Sequence, residues 1–179
     1  LIYLVRHGEA AAGWGHAADP GLSGLGHKQA RAVAEVLAIH DISQIFASPM
    51  ARCQETALPF SQRTGLDIVT EPDVTEIPTP DGLDDRVAWL RGFMASEWDA
   101  ALPLISGWKD RLLARLSALP DNSVVFTHFI AINTIVGHLE GSNLVTSFRP
   151  GHCSVTQLAS KDGTCTVAER GSEAATQVL

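Results

Sequence analysis

The chain has 179 residues, 45% hydrophobic and 18% charged, a balance that fits a single folded domain over residues 1–179, able to bury a core without disulfides or a structural metal. Thirteen Lys and Arg against 20 Asp and Glu give a net charge of -7, which argues against nucleic acid or an anionic membrane surface as the main partner, since either rewards a basic face. Three cysteines without metal-ligand spacing read as reduced, buried thiols of a cytoplasmic protein, and no apolar run approaches the roughly 20 residues of a membrane span.

Residues 1–5, LIYLV, form a continuous apolar, β-rich run that stops on Arg6 and His7, the pattern of a strand covered on both faces. It is too short for a signal segment, and the absence of a leading Met leaves room for a short native extension. Ser23 then offers an N-cap, and Leu25, Val33, Val36 and Leu37, with several alanines, trace the apolar stripe of a helix to about His40. Residues 44–47, QIFA, read as a second strand. Ser48 and Pro49 supply an N-cap and a first-turn proline for a helical stretch from Ala51 that Gly65 can end, which sets Arg52 in the first turn.

A third strand over residues 66–70 leads into EPDVTEIPTPDG, whose prolines bar helix and central strand, so Glu76 lies in a loop. Helices over about 84–96 and 104–119, a strand at 123–127, a helix to about Leu139 and two terminal strands at 154–159 and 164–169 complete the order. Strands alternating with helices give the α/β class, as a three-layer α/β/α sandwich on a central, mostly parallel sheet. Only the tail, residues 171–179, reads as disordered. Ligands of such sheets sit beyond the carboxyl ends of the strands, where Arg6, His7, the turn from Ser48 to Arg52, and His128 all fall.

That edge would be cationic in an acidic protein. Guanidinium groups hold phosphate oxygens in bidentate fashion, and a helix N-terminus behind them adds oriented N–H donors, so Arg6, Arg52 and His128 suit a phosphoryl group. A neutral imidazole is a competent nucleophile near neutral pH and needs no metal, and a carboxylic acid could protonate the departing alkoxide.

These residues carry a family resemblance. Arg6-His7-Gly8-Glu9 after the first strand resembles the signature of the histidine phosphatase superfamily, also called phosphoglycerate mutase-like. LSGLGHKQA resembles that family's L-T-x-x-G-x-x-Q-A segment, ASPMARCQETA its S-P-x-x-R-x-x-Q-T-A segment, and VVFTH its second-histidine strand. The resemblance implies a phosphohistidine mechanism without cofactor or metal, with His7 as nucleophile, Arg6, His7, Arg52 and His128 as the phosphate pocket, His128 also catalytic, and Glu76 as acid and base. The substrate implied is a phosphorylated small molecule or a phosphoprotein. Two positions depart from the family's pattern: Phe129 follows the second histidine, where Gly or Ala is usual, and Ile77-Pro78-Thr79-Pro80 follows Glu76. Asp81, Asp84 and Asp85 remain alternatives for the acid.

Residues 10–22 contain no Lys or Arg to hold a second anionic group, so water is expected to accept the phosphoryl group and a mutase is disfavoured. A protein phosphohistidine phosphatase and a non-catalytic phospho-ligand-binding domain are the competing readings. Glu9 can orient the pocket or serve as a cap. His16 could meet substrate from the first loop, and Arg86 and Arg91 could engage a second anion or stay on the surface. His152-Cys153 opens an H-C-x5-R pattern, but Ala159 stands where its Arg is needed. Gly13-Trp14-Gly15 and Gly24-Leu25-Gly26 read as turns. Trp89, Leu90, Phe93 and Met94 mark a helix face on the core, with a lid formed by Trp98 or Trp108 as the sharper alternative.

Overall fold

The computed structural model describes residues 1–12, 19–161 and 164–174. His16 and Gly13-Trp14-Gly15 lie outside the described residues, as does the end of the tail. Six strands form one sheet: β1 (Ile2–Arg6), β2 (Gln44–Ala47), β3 (Ile68–Thr70), β4 (Ser123–Thr127), β5 (Val155–Lys161) and β6 (Thr164–Glu169), in the order β3-β2-β4-β1-β5-β6. The first four are mutually parallel, whereas β5 runs antiparallel to β1, and β6 to β5. This is the mixed α/β architecture read from the sequence.

The period of two along β1 divides the core. Tyr3 and Val5 join Val33, Ala34 and Leu37 of α1 (Gly24–Leu37), Cys53, Ala57 and Phe60 of α2 (Ala51–Thr64), and Ile45, Val124 and Phe126 of the neighbouring strands. Ile2 and Leu4 face a larger cluster built with α3 (Arg86–Met94), α4 (Pro103–Ser117) and α5 (Phe129–Glu140). Strands sandwiched between the two clusters have no solvent face, so β1 and β4 are buried throughout.

Several boundaries differ from the sequence reading. The α1 helix ends at Leu37, and Leu25 and Val36 face solvent; its buried residues are Gly26, Ala30, Val33, Ala34 and Leu37. Small residues are needed there, because a Cβ on Gly26 would lie 2.1 Å from the Glu9 carbonyl oxygen. Met50, not Ser48, is the N-cap of α2, so Pro49 precedes the cap rather than opening the helix. The proline-rich loop includes a single 3-10 turn at Pro72–Val74, where the Glu71 carboxylate accepts the Asp73 N–H. Residues 171–174 are ordered against the body: Gly171 donates to Thr156, and Gly151 N–H bonds the Ser172 carbonyl.

Trp108 and Trp98 are buried in the core and Trp89 and Phe93 stack, so these rings pack the α3–α4 side of the sheet. Cys53 is buried, Cys153 and Cys165 are only partly so, and all three are free thiols. No helix among the described residues is long and apolar enough to cross a membrane.

Candidate active site

The carboxyl ends of β1 and β4 are adjacent because the two strands pair in parallel, with Arg6 opposite Thr127. His7 and His128 therefore leave neighbouring strands side by side, and the His7 N–H bonds the Thr127 carbonyl at 3.0 Å. Their rings sit edge to face with centroids 5.3 Å apart. From the first turn of α2, Arg52 reaches between them: its Nε donates to His7 Nε2 and its Nη2 to His128 Nδ1, both at 3.2 Å. Thr56, one turn along, accepts the Gly8 N–H and donates to the Arg52 carbonyl, tying α2 to the loop after β1.

The hydrogen bonds define both tautomers. His7 Nδ1–H donates to the Gly8 carbonyl at 2.7 Å, which leaves the lone pair on Nε2 at the Arg52 side. His128 Nδ1 accepts from Arg52, so its Nε2–H donates to Ser48 Oγ at 2.8 Å. The same hydroxyl oxygen also accepts the Met50 N–H, ahead of the first helical residue. The N-terminus of α2 is served from elsewhere, by Asp19, whose carboxylate accepts the Ala51 N–H and stands 4.0 Å from Arg52 Nη1. Burial first, and then the Arg52 and Arg6 charges, hold His7 well below the ordinary imidazole range; burial and the same cluster do so for His128. Both imidazoles are neutral at neutral pH.

Glu76 is brought to the same edge from the proline-rich loop. The loop is pinned by Thr127, whose hydroxyl donates to the Val74 carbonyl at 2.6 Å, and by Trp108, whose indole N–H reaches the Thr75 carbonyl. The Glu76 carboxyl accepts the N–H of Ile77 and that of Ile130 at the start of α5. Burial pushes its pKa up, against the pull of those donors and the two arginines, so a buried carboxylic acid persists above the usual carboxylate range. Asp81, Asp84 and Asp85 are exposed, and Asp85 caps α3.

Arg6 is 3% exposed, and its Nη1 donates to the Pro150 carbonyl. Its guanidinium carbon lies 5.2 Å from the centroid of the Phe129 ring, so the residue after the second histidine forms a floor under the arginine. Arg6 Nε is buried without a hydrogen-bond partner in the structure, an unmet donor of the kind an anionic oxygen satisfies.

Arg6, His7, Arg52, Glu76 and His128 are thus brought together by four separate segments. Of the other residues singled out, Glu9 holds the Ser23 hydroxyl at 2.7 Å and so buttresses the α1 cap. Arg86 donates to Thr79, and Arg91 is exposed. Among the described residues, no group of three or more His, Cys, Asp or Glu is arranged to hold a metal ion. The sequence reading did not place His152 at the site, yet its ring is 6.0 Å from that of His7 and its Nε2 is 3.1 Å from Arg6 Nη2. The sequence carried no signal for it, because only the pairing of β5 with β1 brings residue 152 to the site.

Fold and site define an α/β protein with two arginines, two neutral imidazoles and a protonatable carboxyl group at one sheet edge. Residues 2–82, which include all of these but His128, match the family model of the histidine phosphatase superfamily (branch 1), and the chain belongs to that superfamily. It is 32% identical over 177 residues to the uncharacterized protein Rv0525 of Mycobacterium tuberculosis, covering 89% of this chain and 88% of that one. It is 28% identical over 181 residues to "Probable phosphoglycerate mutase GpmB" of Enterobacter sp. (strain 638), covering 88% and 83%. Among solved structures, a phosphoserine phosphatase from Entamoeba histolytica superposes with a TM-score of 0.78 at 20% identity, over 96% of both chains. The mycobacterial glucosyl-3-phosphoglycerate phosphatase Rv2419c gives 0.75 at 22% identity, over 97% of this chain and 99% of that one. At these identities the structural likeness speaks for the fold.

Proposed function

We propose that the protein is a metal-independent phosphomonoesterase acting through a phosphohistidine at His7. The observation that carries this reading is the His7 ring itself: its Nδ1–H is spent on Gly8, and its Nε2 lone pair opens onto Arg52 within the buried cationic cluster. A phosphoryl group entering between Nε2 and Arg52 takes oxygens to Arg52, Arg6 and His128. Nε2 attacks phosphorus, the P–O bond to the leaving group breaks, and Glu76 delivers its proton to the departing alkoxide. The resulting Glu76 carboxylate then takes a proton from water as that water attacks the phosphohistidine, returning His7 and releasing inorganic phosphate.

Water rather than a second substrate hydroxyl is the acceptor in this reading. The Asp19 carboxylate beside Arg52 disfavours a second anionic group on that side, which a phosphoglycerate mutase has to hold. The phosphatase names of the structural neighbours, phosphoserine and glucosyl-3-phosphoglycerate, point to phosphorylated small molecules as the first substrates to test. Phosphate release from aryl, sugar, amino-acid and nucleotide monophosphates in the presence of a chelator is expected for the native protein and lost in His7→Ala. Unchanged turnover in His7→Ala sinks the mechanism. Binding of inorganic phosphate without release from any ester selects the binding-domain reading, and release from phosphorylated proteins alone selects the phosphohistidine phosphatase.

A further inference from the structure

We infer that His152 is a positioning residue of this site, holding the Arg6 guanidinium in register through the lone pair of its Nε2; the inference rests on the phosphatase reading above. Arg6 needs such a hold. It carries five N–H groups in a buried environment, and within the protein its Nη1 reaches the Pro150 carbonyl and its Nη2 faces His152 at 3.1 Å, while Nε goes unmet. A guanidinium cannot accept a hydrogen bond, so the contact requires His152 to be neutral with its proton on Nδ1. Burial and the Arg6 charge push His152 down to about 4, against a weaker pull from Glu9, which keeps it in that form at neutral pH.

The backbone is arranged to present this ring. β5 runs antiparallel to β1 with Val155 opposite Val5, so the residues just before β5 arrive where β1 ends. The Arg6 N–H bonds the Ser154 carbonyl, and the Cys153 N–H bonds the Arg6 carbonyl at 3.0 Å. Cys153 has φ 55, a left-handed conformation that costs a β-carbon residue about 1 kcal/mol or more, and it turns the chain so that His152 faces Arg6. Gly151 is fixed in turn by the Ser172 carbonyl. One arginine is therefore clamped by its own backbone, a carbonyl, the Phe129 ring and an imidazole, leaving Nε and the remaining N–H groups for phosphoryl oxygens.

The test uses orthovanadate, which copies the five-coordinate transition state, with His152→Ala and His152→Gln. The Gln amide oxygen reaches about as far along the side chain as Nε2 and accepts a hydrogen bond. His152→Ala is expected to lose about tenfold or more in vanadate affinity and in kcat, the scale of one hydrogen bond to a charged group, with KM changed far less. His152→Gln is expected to recover most of both. Ring-15N NMR of the native protein at pH 7 should show His152 neutral with Nδ1 protonated and Nε2 bare. Vanadate affinity in His152→Ala within twofold of native, or a His152 ring protonated on Nε2, overturns the inference. A native protein that binds vanadate but hydrolyses no ester removes the hydrolase reading and leaves the vanadate comparison to decide the role of His152. One that binds no vanadate leaves the decision to the NMR tautomer.

Discussion

At the scale of single residues, the site separates two buried groups whose protonation states are pushed in opposite directions. Burial and the arginines keep His7 neutral well below its ordinary range, and burial keeps Glu76 protonated above its own. A nucleophile that must be neutral and an acid that must be protonated coexist between those two limits, so activity on alkyl phosphates should peak between them. Activity falls on the alkaline side as Glu76 ionises. Glu76→Gln removes the proton donor and with it that limb, and should lower kcat on alkyl phosphates by about 10²- to 10³-fold, the usual scale of general acid catalysis. Aryl esters, whose leaving groups depart without a proton, should lose far less. Steady-state rates on paired alkyl and aryl esters from pH 4 to 9 make the comparison; an equal loss on both classes contradicts the role of Glu76 as acid.

At the scale of elements, the site depends on joints between segments that share no local signal. The clearest is Thr127, the last residue of β4, whose buried hydroxyl holds the Val74 carbonyl and so fixes the loop that carries Glu76. Thr127→Val keeps the shape and strands that carbonyl, which should cost about 1–3 kcal/mol in stability. It should also lower kcat on alkyl more than on aryl esters, because the loop that aims Glu76 is loosened. Urea unfolding and the same ester pair would show it, and a stability loss with equal kinetic effects on both esters would mean that Thr127 serves the fold alone. The joints also mark where the sequence stops being legible. β1 and β4 were visible because strands covered on both faces need unbroken apolar runs, and Arg6, His7 and His128 follow as the residues that end them. The α2 cap was misread because Asp19 supplies it across 32 residues, while the adjacent Ser48 is engaged by His128. His152 was missed because nothing within the terminal strands states which neighbour they join. Only the antiparallel pairing of β5 with β1 puts residue 152 beside Arg6.

At the scale of the whole molecule, an acidic chain has gathered buried cations and two neutral imidazoles at one edge, and this arrangement makes stability depend on pH. In the unfolded chain His7 and His128 titrate near 6.5; in the folded one they resist protonation to well below that. As pH falls from 6.5 toward the folded values, the unfolded state binds more protons. The stability present above about pH 7 is therefore lost on acidification, by up to about 1.4 kcal/mol per pH unit for each histidine. His152, with a folded value of about 4, adds to the loss over the same interval. Glu76 acts with the opposite sign, because its raised folded value makes the native state bind a proton that the unfolded chain releases above about 4.5, offsetting part of the loss at the acid end. Urea unfolding at pH 7.5, 6.5 and 5.5 should show stability falling across the series. In His7→Gln the total loss between pH 7.5 and 5.5 should be smaller by about 1.4 kcal/mol, since one of the groups that takes up a proton on unfolding is gone. Parallel curves for the two proteins would mean that folding leaves the His7 titration unshifted, and a steeper decline in His7→Gln would mean that His7 is already protonated in the native state. That would deny it the lone pair on which the proposed chemistry depends.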